Sequence, residues 1–373
     1  MLTPESRLAD FPALANMAYL NSAAESIPPV CVPEALAQYA RDKGLGMRGR
    51  GPHNATLEAC REVAARMVGL QTDEVSFCSC SSEAYNLLAN ALHLGPDDEV
   101  VITDLDFPAG ATPWLNAATP PKVQLWKARD GALDANDLPA LLNERTRLVQ
   151  VSLVSFFNGH RLDWAPFIAA VREHAPHAKV AVDITQALGR VELDCTDFDI
   201  LISSTHKWVL GIHGGCIVGI PKKGNKITTH AGGWFHLENA FGADRFERAV
   251  PKQGAASFSV GMPNYAAIYA LNASLRYVEN VDVANIAAHA DPLVEQLEAG
   301  LRALGLTPMA AQRTGNFSGI LAFRHARSDA IHQALEAAEV HVMNQAGRMR
   351  MALHGYNTTA DVEQFLDVLG TAI

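Results

Sequence analysis

The stretch FDILISSTHKW, residues 198–208, decides how this chain is read. An apolar run, Phe198–Ser203, breaks into Ser204-Thr-His206-Lys207-Trp208, as a strand does when it passes into a polar loop at its C-terminal end. Open α/β sheets bind ligands in the crevice outside such strand ends. An amine kept from water there is neutral enough to condense with an aldehyde. Taken alone, Lys207 fits an ordinary solvated lysine at least as well.

Working outward, short apolar runs alternate with helical patterns. Val75–Cys78, Val100–Thr103, Val123–Trp126, Leu148–Val151, Val180–Val182, Ile200–Ser203 and Cys216–Gly219 read as strands, most without the polar alternation of a half-exposed sheet. Ala55–Val68, Ser82–Leu92, Asp134–Leu142 and Trp164–Glu173 carry apolar residues at helical spacing, with Ser82 and Asp134 as candidate caps. This grammar predicts an α/β fold with a large, mostly parallel seven-stranded sheet. From about Pro263 the order changes. Two long helices, Tyr265–Val278 and Ala284–Leu304, precede Ser318–Phe323, a helix near Asp329–Ala338, Arg350–Leu353 and a last helix from Thr358. A smaller α+β domain over 263–373 is expected, with the large domain over 19–262 and an N-terminal segment, 1–18, packed on the small one. The glycine-rich excursion Thr228–Gly261 is expected to bury its aromatics, Trp234, Phe235, Phe241, Phe246 and Phe258.

Composition narrows the function. A chain of 373 residues, 49% hydrophobic, supplies core for about two domains. A net charge of −10 without a basic run argues against nucleic acid. No stretch approaches the roughly 18 apolar residues of a membrane span, and the first residues lack the pattern of a secretory leader, so a soluble, cytoplasmic protein is expected. The six cysteines all lie within the first 216 residues and form no CxxC pair, which favours free thiols. Cys78-Ser-Cys80 lacks companion ligands, and no metal is expected. Gly44-Leu-Gly46-Met-Arg-Gly49 matches a dinucleotide fingerprint, but a helical pattern, Pro33–Lys43, precedes it where a strand is required.

Three further segments share the setting of Lys207. Lys179–Asp183 delivers a carboxylate at a strand's end. Such a group keeps the pyridine nitrogen of pyridoxal 5'-phosphate (PLP) protonated, so that the ring drains electron density from a substrate's Cα. A cap on the following helix is the plainer use of Asp183. Gln186, one turn on, is placed to donate to the cofactor's phenolic oxygen. Ser81 and Ser82 stand where a strand turns into a helix, a seat for phosphate or a simple serine cap. Phe107, after Val100–Thr103, offers either a ring to stack on a cofactor or a core side chain.

Hydroxyl seat, aromatic, Asp-x-x-Gln and His-Lys follow successive strands, and this order resembles the class V aminotransferase and cysteine desulfurase family over nearly the whole chain. Tyr19-Leu-Asn21-Ser-Ala-Ala is similar to that family's N-terminal approach to the site, and Val154–Asp163 to its strand-loop segment. Arg350-Met-Ala-Leu-His-Gly-Tyr356-Asn357 matches its Arg-x-x-x-x-x-Tyr-Asn pattern. The resemblance implies the fold-type-I PLP transferase fold, with PLP held by Lys207 as a Schiff base and contacted by Asp183, Gln186 and Phe107. It assigns Ser81, Ser82, Ser204 and His206 to the phosphate and Arg350, with Arg348 as competitor, to the substrate carboxylate. It also implies a homodimer with its site at the subunit boundary.

Departures from the family's pattern shape the expected reaction. Desulfurases carry a sulfur-accepting cysteine shortly before the arginine motif, whereas this chain has none after Cys216. Phe107 stands where many members stack a histidine, which leaves Lys207 as the proton carrier. Met262, in the segment resembling a cross-subunit phosphate contact, brings no hydroxyl. Transamination of a small amino acid is therefore the expectation, with a PLP lyase (C–S or other β-elimination) or an epimerase as rival and cysteine desulfurase set aside. A non-catalytic binding scaffold and an NAD-dependent dehydrogenase are the alternatives from other classes. Trp234 and His236 fit either a substrate contact or core filling.

Overall fold

The computed structural model describes residues 1–222, 227–310 and 317–373. An N-terminal helix α1 (Pro4–Asp10) and strand β1 (Ala18–Tyr19) lead into helices α2 (Cys31–Lys43) and α3 (Arg50–Met67). The large sheet follows in βα order: β2 (Val75–Cys78), α4 (Ser81–Leu92), β3 (Glu99–Thr103), α5 (Pro108–Leu115), β4 (Lys122–Trp126), β5 (Thr146–Ser152), α6 (Trp164–His174), β6 (Lys179–Asp183), β7 (Ile200–Ser204) and β8 (Cys216–Gly219). Its spatial order is β2-β8-β7-β6-β5-β3-β4. Only β8 runs antiparallel to its neighbours, β2 and β7. The C-terminal ends of β2, β3, β5, β6 and β7 therefore share one edge, and the loops leaving them face a common crevice.

Hydrophobicity accounts for this layering. Strands β2, β3, β7 and β8 are buried at every position. One cluster, with Val149, Val151, Val182, Phe167 and Trp126, fills one face of the sheet, and another, with Leu88, Ile102, Ala181 and Ile202, fills the other. Each fully buried aliphatic side chain contributes about 1.5–3 kcal/mol against an exposed one.

After the long helices α7 (Tyr265–Val281) and α8 (Val283–Ala303), strand β9 (Ile320–Arg324), helix α9 (Ser328–Ala337), strands β10 (Val340–His341), β11 (Met343–Gln345) and β12 (Arg348–Ala352) and helix α10 (Thr359–Ala372) complete the chain. Strands β11-β12-β9 form an antiparallel sheet over their own core of Leu297, Phe323, Met351 and Phe365. Strand β1 pairs in parallel with β10, which ties the start of the chain to this unit.

All seven expected strands of the large sheet are present. Three local expectations are corrected. Asp134–Leu142 forms a 3-10 stretch, Ala135–Ala140, rather than an α-helix; Pro139 inside it has no N–H to continue the ladder. Asp134 does cap it, accepting from the Asn136 N–H at 3.0 Å. At α4 the cap position belongs to Cys80, and Ser82 is an exposed residue of the first turn. Of the aromatics in 228–261, Phe258 is buried, but Trp234, Phe241 and Phe246 are 38%, 85% and 89% exposed. They pack on the segment's own tip, Trp234 against Phe241 and Phe246 beneath Arg245, rather than on the core. Gly44–Gly49 lies between α2 and α3 with no strand before it. Among the described residues, no helix is long and apolar enough to cross a membrane.

Candidate active site

The shared edge of the sheet opens into a cavity lined by Ser81, Phe107, Ser152, Val154, Phe156, Asp183, Thr185, Gln186, Ser204, His206 and Lys207. Seven of the expected cofactor residues thus meet in one place: Ser81 from the start of α4, Phe107 from the loop after β3, Asp183 and Gln186 from the end of β6, and Ser204, His206 and Lys207 from the end of β7. Ser82 and Arg350 are absent from this lining; Arg350 stands on β12, near enough to bear on the charge of Lys207.

Lys207 follows β7, and its amine lies 5.3 Å from the centroid of the Phe107 ring. Burial pulls its pKa down to about 8, with Asp183 opposing that fall and Arg350 reinforcing it. An amine so placed is neutral in a substantial fraction near neutral pH, as a nucleophile and proton carrier must be.

Asp183 ends β6. Its carboxylate accepts from the Tyr85 hydroxyl at 2.9 Å and from the Thr185 N–H at 2.8 Å. No helix begins at this point, so the capping use of Asp183 reduces to a local turn. Tyr85, from the buried face of α4, fixes the orientation of the carboxylate. Gly110 permits that contact, since a Cβ there would meet the Gln150 amide and the Tyr85 ring. Behind this pair lies a second carboxylate, Asp106, which accepts from Ser152 Oγ at 2.9 Å and from the Thr103 N–H at 3.1 Å. Burial pushes its pKa up to about 7; those two donors work against the rise, and the nearby Asp183 adds to it. Neither Tyr85 nor Asp106 was legible as a site residue. Asp106 precedes Phe107 in a strand-end motif, but only the sheet order sets it beside Asp183.

Ser81, in the first turn of α4, lines the cavity together with Ser204 and His206. His206 is stacked on His213 at 4.5 Å, and burial, with Lys207 next in weight, pulls it down to about 4. It is a neutral ring. Phe107 flanks the cavity, 44% exposed, with its edge against Phe156 at 5.0 Å.

Arg350 and Arg348 sit two residues apart on β12, both 2% exposed. Arg350 donates through Nη1 to the Phe156 carbonyl at 2.7 Å, while its buried Nε has no partner among the described residues. The Nε–Nη2 edge, the side of a guanidinium that grips a carboxylate with two parallel bonds, is left available. Arg348 is occupied differently. Its two terminal nitrogens donate to the Phe157 carbonyl at 2.6 Å and to Gln345 at 3.1 Å, and its plane lies 4.3 Å over the Phe157 ring. Burial disfavours charge on both groups. An anion beside Arg350 would relieve that cost.

Trp234 and His236, for which the sequence leaves substrate contact and core filling both open, stand apart from the cavity. His236 is buried, with Nδ1 unpartnered among the described residues, and Trp234 is partly exposed on the excursion's tip.

Residues 18–365 match the family model described as aminotransferase class-V. An uncharacterized aminotransferase, YcbU, from Bacillus subtilis (strain 168) is 27% identical over 98% of this chain and 96% of its own length. A cysteine desulfurase from Cronobacter sakazakii (strain ATCC BAA-894) is 31% identical over 74% of this chain and 72% of its own. Among solved structures, a lysine mutant of C-DES with glycine covalently linked to its PLP cofactor superimposes over 100% of both chains, with a TM-score of 0.89 at 21% identity. That likeness shows a shared fold.

Proposed function

This chain belongs to the aminotransferase class-V family, and from that premise we propose that it is a PLP-dependent enzyme that deprotonates the Cα of a small amino acid and transfers its amino group. The observation that carries the reading is the meeting in one cavity of a buried amine, Lys207, and a carboxylate held by two donors, Asp183, with Arg350 near enough to bear on the charge of that amine.

The residues fit PLP. A helix N-terminus with Ser81, Ser204 and His206 suits its phosphate, Asp183 its pyridine nitrogen, Phe107 one face of its ring and Lys207 its aldehyde carbon. Bound there, PLP supplies an electron sink that makes the substrate's Cα–H acidic. Tyr85 and Thr185 hold the Asp183 carboxylate in place, so no reorganisation is needed as charge develops. Arg350, anchored through Nη1 on Phe156, orients the substrate by its carboxylate and turns the Cα–H toward Lys207. Lys207 Nζ then takes that proton and returns it to the neighbouring carbon.

Transamination is preferred over elimination because Lys207 can both take the Cα proton and return it to the neighbouring carbon, while Phe107 and Phe156 give the cavity apolar walls. Transfer of sulfur from cysteine is disfavoured by the lack of any cysteine after Cys216, although several relatives carry the desulfurase name. A homodimer is part of the proposal, and the exposed tip bearing Phe241 and Phe246 is the surface that a second copy would cover. An amino-acid screen read for keto acid, ammonia, sulfide and inverted stereochemistry tests all of this. Stoichiometric keto acid with conversion of the cofactor to its amine form is expected. Sulfide or ammonia without that conversion would replace transamination with lysis.

A further inference from the structure

Among the described residues Gln186 is the only side-chain amide in the cavity lining, and its orientation is fixed by two partners that cannot exchange roles. Its Oε1 accepts from the Trp208 indole N–H at 2.6 Å, and its Nε2 donates to the Ala23 carbonyl at 3.0 Å. An indole N–H only donates and a backbone carbonyl only accepts. Flipping the amide would therefore replace two hydrogen bonds with two repulsive contacts. Nε2 carries two protons. One is spent on Ala23, and the other remains for the cavity.

Trp208 is itself held from the small domain. It is fully buried, and its carbonyl is 2.8 Å from His354 Nε2. His354 accepts from the Gly355 N–H through Nδ1 at 2.7 Å, so the ring proton is on Nε2 and points at Trp208. Burial pulls His354 down to about 3, which keeps this single neutral form across the working pH range. The His354 ring stacks between Trp208 and Tyr356, at 5.6 and 5.4 Å. The Tyr356 hydroxyl is 2.6 Å from Ser22 Oγ, and Ser22 precedes Ala23. The contacts form a closed circuit, Ala23–Gln186–Trp208–His354–Tyr356–Ser22, between the residue after Lys207 and the segment after Arg350.

We infer that Trp208 is a positioning residue, braced by His354, whose indole N–H locks the Gln186 amide so that an N–H faces the phenolic oxygen of the cofactor. The inference rests on the reading that PLP occupies this cavity with that oxygen toward Gln186. A hydrogen bond to that oxygen favours its negative form, and so lowers the pH at which the Lys207-bound cofactor loses its proton.

The test is a pH titration of the cofactor's visible absorbance in holoenzyme, with PLP content and thermal melts measured alongside. Gln186→Leu should raise the midpoint by about one unit, a tenfold change in proton affinity. Trp208→Phe, which keeps an aromatic ring against His354, should raise it in the same direction. The double variant should move no further than Gln186→Leu alone. A shift with Gln186→Leu but none with Trp208→Phe, or additive shifts, overturns the role of Trp208. No shift with Gln186→Leu removes the cofactor contact itself, and the inference with it. Should Trp208→Phe fail to fold, ultraviolet resonance Raman of wild type against Gln186→Leu decides the matter. Loss of a strongly hydrogen-bonded indole N–H signature supports the lock, and an unchanged spectrum refutes it.

Discussion

Replacing Arg350 by alanine is the sharpest test of how substrate is held. Its free Nε–Nη2 edge can make two charge-assisted bonds to a carboxylate, each worth about 1.5–3 kcal/mol, or roughly 3–6 kcal/mol as a pair. At about 1.4 kcal/mol per tenfold, kcat/KM should fall by about two to four orders of magnitude, mostly through KM. Keto-acid formation from an amino acid, set beside cofactor conversion by the matching amine that lacks the carboxylate, isolates the effect. Only the amino acid should suffer. Arg348→Ala should cost less than about tenfold, because the terminal nitrogens of Arg348 are already engaged by Phe157 and Gln345. Arg350→Ala also strips the Phe156 carbonyl of its donor, so a small loss of thermal stability is expected in the same variant. Equal losses for amine and amino acid, or a larger loss with Arg348→Ala, would refute the assignment.

The other predictions concern protons and assembly. With its pKa lowered to about 8, the Lys207 amine becomes neutral as pH rises through that value, so apoenzyme should take up PLP faster up to about pH 9 and then level off. A midpoint near the ordinary lysine value of 10.5 would contradict the burial argument. Borohydride should fix the cofactor on the Lys207 peptide, and Lys207→Ala should abolish turnover while leaving the melting curve intact; label on another peptide would reassign the amine. Asp106 holds its proton more tightly folded than unfolded, about 7 against 3.8, so its contribution is full below the lower value and lost as pH rises to the upper one. Asp106→Asn should therefore raise Tm at alkaline pH, with the gain vanishing near pH 4; a gain independent of pH would point to packing instead. Phe241→Asp with Phe246→Asp should shift sedimentation toward monomer, whereas an unchanged oligomer would remove the tip from the subunit contact.

The strands could be read because, with both faces covered, each is a short uninterrupted apolar run ending in a polar turn, as in Lys179–Asp183 and Ile200–Ser204. Lys207, Asp183, Gln186, Phe107 and Ser81 were visible for the same reason, since strand ends announce where loops meet. Position within a loop says nothing about depth, and there the reading ran out. Ser82 and Ser81 are equivalent in sequence, yet only one faces the cavity. Tyr85 meets a carboxylate 98 residues further along the chain, and Asp106 lies near the same group, a proximity that only the sheet order reveals. The choice between Arg348 and Arg350 turned on which nitrogens were already engaged. Phe241 and Phe246 were misplaced because an apolar side chain has the same signature whether its own core or another chain covers it.

The parallel pairing of Ala18–Tyr19 with Val340–His341 also constrains how the chain is made. Arg7 reaches the Tyr356 carbonyl at 2.7 Å, and Asn357 reaches the Tyr19 carbonyl at 2.9 Å, so these contacts of the first twenty residues wait for the last forty, whereas Asp10 meets Tyr277 at 2.6 Å. At about 5–20 residues per second, β1 waits roughly 20–70 s for β10 while the large sheet assembles from residues already released. The pairing of these two short strands is therefore a late event in the folding of the nascent chain.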